Sequence, residues 1–140
     1  MRAVLDTNVV ISAFLWQKSL KPIYDAVRSG AVTPCMTEQM RAELARVLSY
    51  QKFKPQLDRA NVRPEEIIRL VSSRAYAVAE PLPVDAVKDD PSDNHVLACA
   101  ESAQADFVVS GDAHLLALGS YNGIPIVTPE AFISDVERAK

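Results

Sequence analysis

The chain has 140 residues, an apolar share of 49% and a formal net charge of −3. That length suits one domain, and that apolar share supplies a core and excludes a disordered tract. The negative balance argues against a passive nucleic-acid binder with a broad basic face, while leaving room for an enzyme that recruits phosphate through a bound cation and a local basic rim.

The elements follow in chain order. Arg2 to Leu5 reads as a short buried strand ending at Asp6. Thr7 or Asn8 is placed to cap a helix over Val9 to Trp16. Pro22 to Arg28 predicts a second helix, stopped by Gly30. Ala31 to Met36 reads as a strand, although Pro34 is unusual inside one. Thr37 caps a helix through about Leu48. Gln51 to Arg63 is polar and interrupted by Pro55. Pro64 opens a helix to about Ser73, with Glu65 and Glu66 in its first turn. Ala75 to Ala79 is a short strand. Pro81, Pro83 and Pro91 bracket a loop through Asp90, and Ser92 is placed to cap a helix to Ala103. Phe107 to Ser110 is a strand, with a short helix around Leu115 after Gly111. Ile124 to Val127 is the last strand, and Pro129 opens a terminal helix.

Strand and helix alternate, and the strands are apolar runs without strong alternation. Both features predict an α/β fold with a mainly parallel sheet covered on both faces. There is no internal repeat and no linker, so residues 1–140 read as a single domain. No apolar run approaches the ~20 residues that cross a bilayer. The N-terminus holds a single Arg, and Asp6 and Asn8 interrupt its apolar run, which makes a poor signal peptide. A cytoplasmic protein is expected. Cys35 and Cys99 show no metal-type spacing and are expected as buried thiols in a reducing compartment.

Four acids stand out by position. In an open α/β sheet, chemistry gathers at the carboxyl ends of the strands. Asp6 and Asp112 each follow a strand, and Asp93 falls in the first turn of a helix at that same edge. On the helix after Thr37, Met40, Leu44, Val47 and Leu48 form an apolar stripe; Glu43 borders it, and Glu38 lies on the opposite face. Alone, each acid has an ordinary job: Asp93 at a helix N-terminus, Asp112 in a turn, Glu43 on a solvated flank. Together they would crowd like charges that a divalent cation relieves, and hard oxygen donors suit Mg²⁺ or Mn²⁺. His95 and His114 do not form a zinc pair and are expected away from metal. Lys18, Lys21, Arg41, Arg46, Lys52 and Lys54 are candidates for a phosphate path, with solvated surface as the ordinary alternative.

Asp-Thr-Asn at 6–8 after an N-terminal strand, Glu43 in a mid-chain helix, Asp-Asn at 93–94 and Ser-Gly-Asp at 110–112 resemble the PIN domain. The ending ADFVVSGDAHLLAL…GIPIVTPEAFI is similar to one branch, the toxin components of bacterial and archaeal toxin–antitoxin pairs. The resemblance implies a PIN-like (Rossmann-like) three-layer α/β/α fold and a Mg²⁺- or Mn²⁺-dependent endoribonuclease, with RNA as substrate, an antitoxin protein as partner and a homodimer as the assembly. It places Asp6, Glu43, Asp93 and Asp112 at the catalytic and metal-binding positions, with Asn8 and Ser110 in support; Thr7 is expected to help them position water or phosphate. The stretch DDPSDN also offers Asp89 and Asp90; Asp93 is preferred because it lies on the helix and precedes Asn94, whereas Asp90 before Pro91 is restricted to extended geometry. A catalytically inactive PIN-like module that binds an antitoxin or RNA is the alternative. An aspartate-nucleophile phosphohydrolase ranks below both, since Asn8 stands where its second acid belongs.

Overall fold

A computed structural model of the chain describes residues 1–16, 18–79, 81, 83, 84 and 91–139. The sheet strands are β1 (Arg2–Leu5), β2 (Thr33–Thr37), β3 (Tyr76–Val78), β4 (Phe107–Val109), β5 (Ser120–Tyr121) and β6 (Ile124–Val127). Their order is β3-β2-β1-β4-β6-β5. Every pairing is parallel except that of β5 with β6. The helices are α1 (Thr7–Ile11), α2 (Lys21–Ser29), α3 (Glu38–Leu48), α4 (Lys54–Ala60), α5 (Pro64–Arg74), α6 (Pro91–Ala103), α7 (Ala113–Leu118) and α8 (Pro129–Arg138). The three-layer α/β/α arrangement follows.

The strand order explains where chemistry can gather. The chain steps from β1 outward through β2 to β3, then returns through α6 to lay β4 against the other side of β1. Right-handed crossovers put the helices between β1 and β3 on one face and α6 on the other. The order reverses between β1 and β4, so their carboxyl ends are the switch point at which α/β sheets gather ligands.

The centre is apolar on both faces, as parallel strands require. Ala3, Val4, Leu5, Val108 and Val109 are buried, and α6 lies across β1 to β4 with Val96, Leu97, Cys99, Ala100 and Ala103 buried. Pro34 is tolerated in β2 for a specific reason. The amides on either side of it face β1, as the Thr33 N–H to Met1 carbonyl bond shows, so its own missing N–H falls on the β3 side. There β3 joins only from Cys35 onward, and no ladder bond is lost. Cys35 and Cys99 are buried free thiols, pushed up by that burial to about 11 and about 12, which makes both poor nucleophiles.

Several expectations need correction. Residues 51–63 hold a 3₁₀ turn and α4, because Pro55 sits in the first turn, where its missing N–H costs nothing, and opens the helix. The first helix starts at Thr7, with Asp6 as its cap residue, and continues as a π-helix over Ser12–Trp16. Asp6 caps through its carbonyl, which accepts from the Val9 and Val10 amides, and its side chain stays available for other use. β5 was not anticipated. It forms a hairpin with β6 through Asn122 (φ 49°) and Gly123 (φ 81°), the Asn-Gly pair whose positive φ angles make a tight turn matching strand twist. Helix α6 begins at Pro91, one residue before the expected cap. Asp89 and Asp90 lie outside the described residues.

The segments Val9–Trp16 and Ile23–Val27 spend their apolar side chains internally: Val9, Val10, Ile11, Phe14, Ile23 and Val27 are buried, and Trp16 remains exposed. No described helix is long and apolar enough to cross a membrane. Leu97 is fully buried in α6. Leu97→Ala should leave a void against the sheet and cost about 2–5 kcal/mol, read as a lower urea midpoint with an unchanged slope.

Candidate metal centre

The carboxyl ends of β1 and β4 are joined by hydrogen bonds that run through one buried hydroxyl. Ser110, wholly buried, donates from Oγ to Asp6 Oδ2 at 2.7 Å and accepts at the same oxygen from the Asp112 amide at 2.9 Å. Backbone bonds fix both strand ends: the Asp6 amide donates to the Val109 carbonyl at 3.1 Å, and the Ser110 amide to the Val127 carbonyl at 3.0 Å. Asp6 is therefore held by main chain and side chain alike.

Asp112 caps α7. Its Oδ1 accepts from the His114 amide at 2.8 Å and the Leu115 amide at 3.3 Å. This cap sets His114 beside it, with Nδ1 3.8 Å from Asp112 Oδ1. Asp93 stands in the first turn of α6 and is 5% exposed; Asn94 after it is also buried. One donor atom each from Asp93, Asp112 and His114 lie within 4.8 Å of one another.

Glu43 reaches the edge from α3. Thr37 caps that helix by accepting from the Met40 amide at 3.1 Å, and Met40, Leu44 and Leu48 anchor it in the core. The expected contrast with Glu38 holds: the Glu43 side chain is 32% exposed and Glu38 72%. Thr7 donates from Oγ1 to Glu43 Oε2 at 2.7 Å. Glu38 pairs outward with Arg41, which holds its carboxyl below its usual value.

All four acids therefore meet at one edge, along with Thr7 and Ser110. Asn8 is exposed and lines a separate hollow with Ser12, Gly111 and Thr128. The donor group that lies close enough for one ion holds His114 where Asp6 was expected; Asp6 is one hydrogen-bonded step away, through Ser110. His114 was expected away from metal. A cue was available: an N-cap side chain bonds the amide two residues on, so Asp112 and residue 114 become neighbours whenever Asp112 caps.

The donors fit a divalent cation. Two carboxylates and an imidazole are a donor set that a divalent cation such as Mn²⁺ accepts, and their atoms lie close enough together to share one ion. Asp93 and Asp112 would hold the ion with His114, and Asp6 and Glu43 would face it from β1 and α3.

The electrostatics point the same way. The Asp6 carboxyl is raised above its ordinary value, first by burial; the bonds from Ser110 and the Thr7 amide lower it, and the Glu43 and Asp112 charges raise it again. A clustered, half-buried carboxylate is unfavourable without a neutralising partner.

A family model described as PIN domain matches residues 2–114, and the chain belongs to the PIN domain family. Members are usually metal-dependent nucleases. No curated protein and no solved structure matches the chain.

A raised Asp6 value means that the folded chain keeps this proton to higher pH than the unfolded chain does. Ionisation of Asp6 therefore subtracts from stability as pH rises from the ordinary carboxyl range through the raised value, and makes no difference below that range. Asp6→Asn, which keeps an oxygen for Ser110, should raise the thermal midpoint in EDTA at pH 7. The gain should fade below about pH 4. A lower midpoint at pH 7 would show that the charge of Asp6 is welcome in the metal-free fold.

Proposed function

We propose that the chain is a Mg²⁺- or Mn²⁺-dependent endoribonuclease that hydrolyses RNA phosphodiester bonds, and that it is the toxin of a type II toxin–antitoxin pair. The observation that carries the nuclease reading is the meeting of Asp6, Glu43, Asp93 and Asp112 at the switch point, where Asp93 and Asp112 form with His114 a donor group that could hold one ion. The toxin reading rests on the likeness of the Ala105–Ile133 ending to that branch, and brings with it a cytoplasmic homodimer silenced by an antitoxin.

When bound, Mg²⁺ or Mn²⁺ acidifies water and offsets charge growing on the scissile phosphate. Asp93, Asp112 and His114 supply the donors. Asp6, pinned by Ser110, keeps a negative charge directed at the same place. Glu43, oriented by Thr7, aligns the attacking water and receives its proton. In-line attack leaves a 5′-phosphate and a 3′-hydroxyl.

The test is cleavage of a labelled RNA with EDTA, Mg²⁺ or Mn²⁺. Cleavage should require metal, and Asp6→Asn should lower it by at least about 10²-fold while the circular dichroism spectrum stays native. Full activity in Asp6→Asn would overturn the assignment; RNA bound but never cleaved would leave an inactive module. Millimolar Mn²⁺ should raise the thermal midpoint of the wild type by mass action. An imidazole among oxygen donors favours Mn²⁺ over Mg²⁺, so His114→Ala should weaken the Mn²⁺ shift more than the Mg²⁺ shift. Equal losses would remove His114 from the donor set. Growth arrest on expression, relieved by a small protein encoded next to this gene, tests the toxin role.

A further inference from the structure

Beside the acidic edge, α3 and α6 part to leave a cleft of about 380 Å³. Its floor is apolar, made by the buried Met40 and Val96. Its rim is polar: Gln39, Glu43 and Arg46 come from α3, and His95 from α6. Spacings of four and three put those α3 side chains on one stripe of the helix. Glu43 belongs to the metal centre as well, so the cleft opens directly onto it.

The rim groups are already arranged. Arg46 donates from one terminal nitrogen to Tyr50 Oη at 2.9 Å, and its other lies 3.8 Å from Glu43 Oε1. The guanidinium is thus poised between the cleft and the acids. Across the cleft, Gln39 Nε2 meets His95 Nε2 at 3.0 Å. Whichever partner donates, the contact uses one polar group of the Gln39 amide and one ring nitrogen of His95. In either arrangement the pair keeps at least one unused donor and one unused acceptor. A flat heterocycle with a donor and an acceptor on one edge, lying on an apolar surface, complements this wall.

We propose that the α3/α6 cleft seats one unpaired nucleotide of the RNA next to the bond that is cut. The base lies on Met40 and Val96, its edge is read by Gln39 and His95, and its phosphate meets Arg46. This assignment rests on the nuclease reading above. The volume falls within the ~300–1,000 Å³ of small-molecule sites, enough for one nucleotide, and RNA base edges are readable where the strand is unpaired. Gln39 and His95 set which base is accepted; Arg46 supplies affinity for any sequence.

Two measurements test it together. In the first, the four ribonucleoside 5′-monophosphates are titrated with Mg²⁺ into ¹⁵N-labelled protein. Saturable amide shifts are expected at Gln39, His95 and Val96, stronger for some bases than others, and the difference between bases should vanish in a Gln39→Ala/His95→Ala double variant. In the second, RNAs randomised around one cleavage site are cut with Mn²⁺. The wild type should prefer certain bases at one position beside the cut. Gln39→Ala and His95→Ala should each flatten that preference by roughly fivefold or more, through KM rather than kcat. Arg46→Ala should weaken all sequences alike. All three residues are exposed, so the fold should be unaffected. No shifts at the cleft up to about 10 mM, well above a millimolar affinity, or a base preference untouched by the double variant, would overturn the proposal. Shifts at the cleft without any metal-dependent cleavage would keep the nucleotide site and reject the nuclease; cleavage with no involvement of the cleft would do the reverse.

Discussion

The hydroxyl of Ser110 is the joint on which the edge of this sheet depends. It lies where the strand order reverses, between the ends of β1 and β4, and it is fully buried. One oxygen serves two partners, donating to the Asp6 carboxylate and accepting from the Asp112 amide. Without it, Asp6 would be a half-buried carboxylate short of a donor, a costly state, and the turn into α7 would lose its anchor. Through these two bonds the acids on either side of the switch point are held in one frame, separated by more than a hundred residues of sequence yet adjacent in space.

That frame gathers negative charge that the fold alone does not welcome. Burial and the neighbouring Glu43 and Asp112 raise the Asp6 carboxyl, and the donated hydrogen bonds only partly offset this. A core optimised for stability would place apolar or neutral groups there. The arrangement makes sense for a site whose stability is completed by a cation, where the repulsion that weakens the free chain becomes affinity for the ion. Asp112 serves two ends here, since the same side chain caps α7 and faces the donor group. Capping fixes its rotamer, so orientation for binding comes with the fold.

Helix α3 divides its faces among three tasks. Met40, Leu44 and Leu48 bind it to the core, Glu43 joins the acidic edge through Thr7, and Gln39 and Arg46 stand on the rim of the cleft shared with α6. A helix can do this because its 3.6-residue period presents distinct rows of side chains. The rigid cap at Thr37 and the buried anchor row keep the functional rows in register with the sheet edge.

Local pattern was enough to reveal much of this. Apolar runs without alternation identified β1, β2 and β4 as strands of a covered parallel sheet, Thr37 and Pro64 marked helix starts, and the stripe around Leu44 separated Glu43 from Glu38. These follow from backbone geometry and burial, which nearby residues dictate. Where local signals misled, the reason was also local: Pro55 was read as a breaker although it sits well in a first turn, and Asn122–Gly123 signalled a hairpin that short strands concealed. Distances between remote residues are another matter. That His114 lies beside Asp93, that Asp6 reaches the others by way of Ser110, and that Gln39 meets His95 across a cleft came only from the tertiary structure. Long-range packing of α6 over the sheet and the crossover into β4 bring those side chains together, and no sequence spacing encodes a distance between segments that touch only after the chain has folded.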